Sequence, residues 1–140
     1  MNRHRPLIAV CFCAGLFGAL INSLFAWQLG ALGLTAWAGV KLTPALTLGW
    51  LYPRLVWGGL WGLVFFMAVA PTPARRHWMR KGLWISLLPT AAQLFWVFPA
   101  HTAHGMAGLG LGSLTPLFVL LINAVWGAAT GLFARTLWGR

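Results

Sequence analysis

Apolar residues fall into four long blocks along this chain, separated by short stretches rich in glycine, proline or basic residues. A helix needs about 20 consecutive apolar residues to cross a bilayer. Four stretches meet that length, at about 7–29, 44–70, 82–100 and 114–134. None shows the alternation over about ten residues that marks a transmembrane strand. Backbone polar groups in hydrocarbon must be paired within their own segment, which leaves the helix as the spanning element. The pattern therefore predicts an all-α polytopic membrane protein. Residues 1–140 form a single transmembrane domain, a bundle of four helices.

Within each block the polar and small residues keep helical spacing, at about 100° per residue. Cys11, Ala14, Gly15, Gly18 and Asn22 share one face of the first helix, and Arg54, Gly58, Trp61, Gly62 and Phe65 share one on the second. The third carries Gly82, Ser86, Pro89, Thr90, Gln93 and Val97 on one face, and the fourth Pro116, Asn123, Gly127, Thr130, Gly131 and Ala134. Small residues allow close helix approach, and polar side chains then bond across the contact. Gly15, Gly18, Gly58, Gly62, Gly127 and Gly131 are the expected packing glycines. The four stripes are expected to face one another.

Asn22, Gln93 and Asn123 lie about 10 Å in from the outer ends of their helices, at 1.5 Å per residue. Arg54 joins that depth if the second helix runs through Pro53; if the helix starts at Pro53, Arg54 snorkels at the surface. Asn22, Arg54, Thr90, Gln93 and Asn123 form the expected intramembrane polar cluster. Interhelical glue is one reading of it, and a small polar pocket open to the outside is another. An arginine inside a bundle marks a functional site by default.

Charge sharpens this. The chain holds ten Lys and Arg and no Asp or Glu. Arg3 and Arg5, then Arg75, Arg76, Arg80 and Lys81, then Arg135 and Arg140 flank the helices on one side, eight of the ten bases. The positive-inside bias places that side, with both termini, in the cytoplasm. The N-terminus resembles a signal peptide, but bulky residues occupy the Ser23–Ala26 region where a cleavage site needs small ones. It is read as a retained first helix. Without carboxylates Arg54 has no internal counter-charge. Its partners are restricted to neutral acceptors, water, lipid phosphate, a bound anion or another protein's acid.

Trp27, Trp37, Trp50 and Tyr52 fall toward the outer face, and Trp78, Trp84 and Trp138 toward the inner face, as two aromatic belts. Trp57, Trp61, Trp96 and Trp126 lie deeper and need lipid or a partner for the indole N–H. Cys11 and Cys13 point about 200° apart on a helix and should not bond to each other. The connection 30–43 reads as an interfacial or re-entrant segment, and 101–113 as a Gly-rich uncharged loop.

Two fragments recur. Leu42-Thr43-Pro44 returns as Leu114-Thr115-Pro116, and Val56-Trp57-Gly58 as Val125-Trp126-Gly127. A duplicated two-helix hairpin would place Arg54 opposite Asn123 and the equivalent of Asn22 close to Gln93, with parallel repeats.

Chemistry is sparse. His101 and His104, with Met106 nearby, offer two metal-ligand candidates, too few for a site. No metal and no cofactor is expected. Carboxylates for acid–base work or for orienting a histidine are missing, so an enzyme is not expected; one built on His101 or His104 would need acids from a partner. The bases sit beside membrane ends, where anionic lipid head groups explain them without nucleic acid.

The stretch from Trp50 to Gly62, with Leu114-Thr115-Pro116 and Asn123-Ala124-Val125-Trp126-Gly127, resembles small, uncharacterised bacterial inner-membrane proteins with four helices. That resemblance implies a bacterial inner membrane and no assigned activity.

The functional expectation is a non-enzymatic accessory or self-associating membrane subunit. It would meet anionic lipids at its cytoplasmic face and would bind a second copy or a larger membrane protein. The alternative is a small oligomeric transporter or channel for a neutral or anionic solute. A water-accessible cavity lined by Asn22, Arg54, Gln93 and Asn123 favours transport; a dry, closed cluster favours the accessory role.

Overall fold

The computed structural model describes residues 3–72 and 74–138. Among the described residues four helices are long and apolar enough to cross a membrane: His4–Ala31, Leu48–Val69, Arg75–His101 and Thr115–Leu137. They are called here the first to fourth helices. The protein is an all-helical, multi-pass membrane bundle. Arg140, counted above among the terminal bases, lies outside the described residues.

The first helix is central, packing along the second on one side and the fourth on the other. The fourth packs in turn against the third. The second and third meet chiefly through Trp78–Ile85, near the end that carries the bases. That basic end is closed by Leu7, Cys11, Ala14, Phe65, Val69, Trp78 and Ala134, all fully buried. The opposite, loop end has two smaller cores. One gathers Ala26, Leu29 and Ile122, the other Val40, Leu94, Phe98, Leu111 and Val119.

Glycine makes the close approaches possible. A Cβ on Gly15 would overlap the Gly58 carbonyl, and one on Gly62 would overlap the carbonyl of Cys11. The second hairpin repeats the arrangement. A Cβ on Gly82 would overlap the Gly127 carbonyl, and one on Gly131 the carbonyl of Trp78. Cys11 and Gly15 therefore stand to Gly62 and Gly58 as Trp78 and Gly82 stand to Gly131 and Gly127. This contact register pairs Asn22 with Pro89, one turn away from the Gln93 expected from the sequence repeat.

Gly82 adds a packing glycine to the six named from the sequence. The lipid-like surroundings offer no hydrophobic gain for helix association, so such contacts act through dispersion and backbone proximity. Lys81 ties the basic end together: its Nζ donates to the Ala68 carbonyl at 2.8 Å and to Thr72 Oγ1 at 3.0 Å. The cation thereby sits on the C-terminal carbonyls of the second helix, where the helix dipole favours it.

Three local features depart from the sequence reading. Trp78 is not in an aromatic belt. It is fully buried, edge-on to Phe65 at 6.3 Å, and its indole N–H has no partner among the described residues. The third helix starts at Arg75 rather than near 82, as a short 3-10 turn, Arg75–His77, leading into Trp78–Ile85.

The third helix is also irregular in its course. The helix is interrupted at Ser86 and becomes a π-helix over Gln93–Val97, where the Phe98 N–H bonds to the Gln93 carbonyl. Pro89 and Pro99 remove two N–H donors from this helix, which forces such adjustments. Leu94 and Phe98 are buried in addition, while Val97, expected on the inner face, is 37% exposed and lines a space inside the bundle together with Pro89 and Gln93.

The connection 32–47 holds a short helix, Leu34–Trp37, then extended chain. Thr35 and Val40 are buried in it while Trp37 is 87% exposed. Gly112, at φ 153°, brings this connection against the 102–114 loop, where Lys41 N donates to the Leu111 carbonyl at 2.8 Å.

Candidate functional site

Arg54 is part of the second helix proper. Thr47 caps that helix by accepting from Trp50 N at 3.2 Å, and the helix runs through Pro53. A proline at this position leaves the Gly49 carbonyl without its helical donor. Gly49 is exposed, near the start of the helix. Arg54 is thus about 9 Å along the helix from its start, at 1.5 Å per residue.

From there the guanidinium turns into the bundle. Nε donates to Ser23 Oγ at 2.9 Å and Nη2 donates to Asn22 Oδ1 at 2.6 Å. Asn22 is held in turn by Nδ2, which donates to the Ile122 carbonyl at 2.7 Å. One chain of bonds therefore links the second, first and fourth helices. Trp50, one turn before Arg54, covers a face of the guanidinium at 4.6 Å. Such stacking stabilises a cation by about 0.5–2 kcal/mol. Neutral acceptors and an aromatic face are what answer Arg54 within the described residues.

Asn123 and Gln93 approach each other across the fourth and third helices, with Nδ2 3.5 Å from Oε1, a long and adjustable contact. Both face a cavity of about 310 Å³ that Asn22 and Arg54 also line. Its wall includes Trp57 and Trp61 from the second helix, Trp96 from the third and Trp126 from the fourth. Trp126 is fixed at the floor because its Nε1 donates to the Gly15 carbonyl at 3.1 Å.

The cavity exists because the second and third helices separate beyond Ile85, while the first and fourth stay packed behind them. On that open side Trp57 is 57% and Trp96 59% exposed. A second void of about 50 Å³ lies toward the loop end, against Leu42 and Pro44, and it shares Arg54 and Gln93 with the larger one.

Four of the five residues in the expected polar cluster thus meet at one cavity. Thr90 does not: its hydroxyl donates to the Ser86 carbonyl at 2.7 Å inside its own helix, and it is buried away from the cavity wall. Ser23 is the residue that sequence reasoning missed. Its signal was present, since Ala19, Asn22, Ser23 and Ala26 repeat at i, i+3, i+4 and i+7, all buried. The outer half of the first helix faces inward along that seam.

His101 packs edge-on to Trp96 at 5.3 Å, and His104 to Phe98 at 5.9 Å, so the two rings are engaged by different aromatics. Among the described residues no three His, Cys, Asp or Glu side chains come together in a way that could hold a metal. Cys11 is buried and Cys13 exposed, and both are free thiols.

No protein family, curated protein or solved structure was found to match the chain.

Proposed function

We propose that the protein binds a small neutral or anionic solute inside the membrane and passes it across, as a small transporter or channel. The observation that carries this reading is the convergence of Asn22, Arg54, Gln93 and Asn123 on one cavity of about 310 Å³. Pockets for small organic molecules run from ~300 to 1,000 Å³, apolar-walled with a few convergent polar groups. The smaller void beside Leu42 and Pro44 supplies a direction of approach from the loop end. The grouping of bases at the other end supports cytoplasmic termini and a cavity in the outer half of the membrane; a bacterial inner membrane is what the resemblance of the Trp50–Gly62 stretch implies.

A test places a cysteine at the cavity wall, Ala92→Cys, in a chain carrying Cys11→Ala and Cys13→Ala. In proteoliposomes a sulfonated thiol reagent should modify it from the loop-end side. Ala14→Cys, in the fully buried core of the basic end, should stay unmodified. Equal inertness of both positions to reagent on both sides would overturn the proposal.

The accessory, self-associating role draws on a separate observation: the Asn22–Arg54–Ser23 network already joins helices as interhelical glue. Crosslinking in native membranes that captures a stable homo-oligomer or a larger partner, together with an inert Ala92→Cys, would favour it.

A further inference from the structure

A guanidinium offers two parallel-donor edges, one through Nε and Nη2 and one through Nη1 and Nη2. In this protein the first edge is filled by Ser23 Oγ and Asn22 Oδ1. Among the described residues no acceptor reaches Nη1. The Nη1/Nη2 edge is therefore the one left for a ligand, on a residue that lines the cavity. The side chain is held in place from two directions, by the bonded edge and by Trp50 across one face.

The charge balance selects the ligand. Among the described residues Arg54 is the single charged one in the cavity wall, and the chain holds no Asp or Glu. A charge inside a low-dielectric bundle is costly until an opposite charge meets it. A monoanion neutralises Arg54; a dianion leaves an excess negative charge with no second cation in the wall. The free edge presents two parallel N–H groups, the arrangement that matches a planar carboxylate.

The remaining walls are mainly aromatic: Trp57, Trp61, Trp96 and Trp126. Flat π-faces favour offset or edge-on contact with another ring. The exposed Trp57 and Trp96 stand at the opening between the second and third helices, so an apolar body can extend there toward the bilayer.

Resting on the solute-binding reading above, we infer that the ligand is an aromatic monocarboxylate. Its carboxylate sits on the Nη1/Nη2 edge of Arg54 and its ring among Trp57, Trp61 and Trp96. Gln93 and Asn123 line the same cavity and have amide groups available to the carboxylate's flank.

The test is equilibrium binding to the full chain in nanodiscs of zwitterionic lipid, with radiolabelled 2-naphthoate as probe. Its neutral isostere 2-naphthamide, decanoate and inorganic phosphate are the comparison ligands. Naphthoate should bind saturably, and the amide about tenfold more weakly or worse, the size of a lost charge-assisted bond pair. Decanoate should bind more weakly than naphthoate, and phosphate should not compete.

Arg54→Gln should remove the preference for the acid. Asn22→Asp, which supplies an internal counter-charge, should weaken naphthoate but not naphthamide. Trp96→Leu, at an exposed wall position, should weaken both by about fivefold without disturbing the core.

Equal affinity for acid and amide would overturn the anion assignment, and equal affinity for decanoate would overturn the aromatic one. No naphthoate binding while Ala92→Cys remains reactive would overturn this inference alone. An unreactive Ala92→Cys would overturn the solute-binding reading beneath it.

Discussion

Arg54 on the second helix donates to Asn22 on the first, Nη2 to Oδ1, at 2.6 Å. The two residues are 32 apart in sequence. Asn22 turns its other amide atom to the Ile122 carbonyl, so the arginine's position depends on the fourth helix, although among the described residues it makes no hydrogen bond there. A neutral amide thereby fixes a cation without neutralising it.

Replacing Asn22 by Leu should therefore destabilise the bundle by about 2 kcal/mol, since it strips an acceptor from a charged group and removes the bond that Asn22 adds to the Ile122 carbonyl across helices. Asn22→Asp should retain more of the stability because it still accepts from Arg54. Reversible unfolding in mixed micelles would measure both. Equal losses would mean that the Arg54 contact contributes little.

The glycine crossings predict a sharp difference between positions. Gly82→Ala puts a methyl group against the Gly127 carbonyl, a backbone atom with no freedom to move aside. Overpacking of this kind costs about 1–3 kcal/mol. Gly49→Ala meets nothing within contact distance and should be neutral or stabilising by up to about 1 kcal/mol, from helix propensity. Thermal aggregation midpoints in detergent should fall for the first and hold or rise for the second.

Lys81 carries a third expectation. Lys81→Met keeps the apolar stem but loses the bonds to the Ala68 carbonyl and Thr72 Oγ1. The end of the second helix should fray, at a cost of about 1 kcal/mol. Hydrogen exchange should quicken at residues 68–72 and stay unchanged around Arg54, because the two networks lie at opposite ends of the helix.

Much of this architecture was legible in the chain. Block length and the hydrocarbon's demand for internal backbone pairing determined four helices, and the period of small residues located Gly15, Gly58, Gly62, Gly127 and Gly131 on the contact faces. Asn22, Gln93 and Asn123 were likewise placed at one depth. Periodicity failed on the third helix because it assumes a constant turn. Pro89, Pro99 and the π-helix alter that turn, and so Leu94 and Phe98 are buried although the expected stripe did not contain them, while Pro89, Gln93 and Val97 keep their places at the cavity.

Trp78 shows the same limit from another side. Hydropathy assigns a tryptophan near basic residues to the interface, yet Gly131 and Phe65 leave it a buried site that no one-dimensional pattern contains. For Arg54 the sequence determined the missing counter-charge, since composition alone excludes an internal carboxylate. Which edge of the guanidinium is occupied was decided only by tertiary structure. Hydrogen bonds are directional, and Ser23 and Asn22 reach the Nε/Nη2 edge only once the first helix is seated against the second. The cavity is equally a product of packing, because it lies where two proline-bearing helices fail to follow each other.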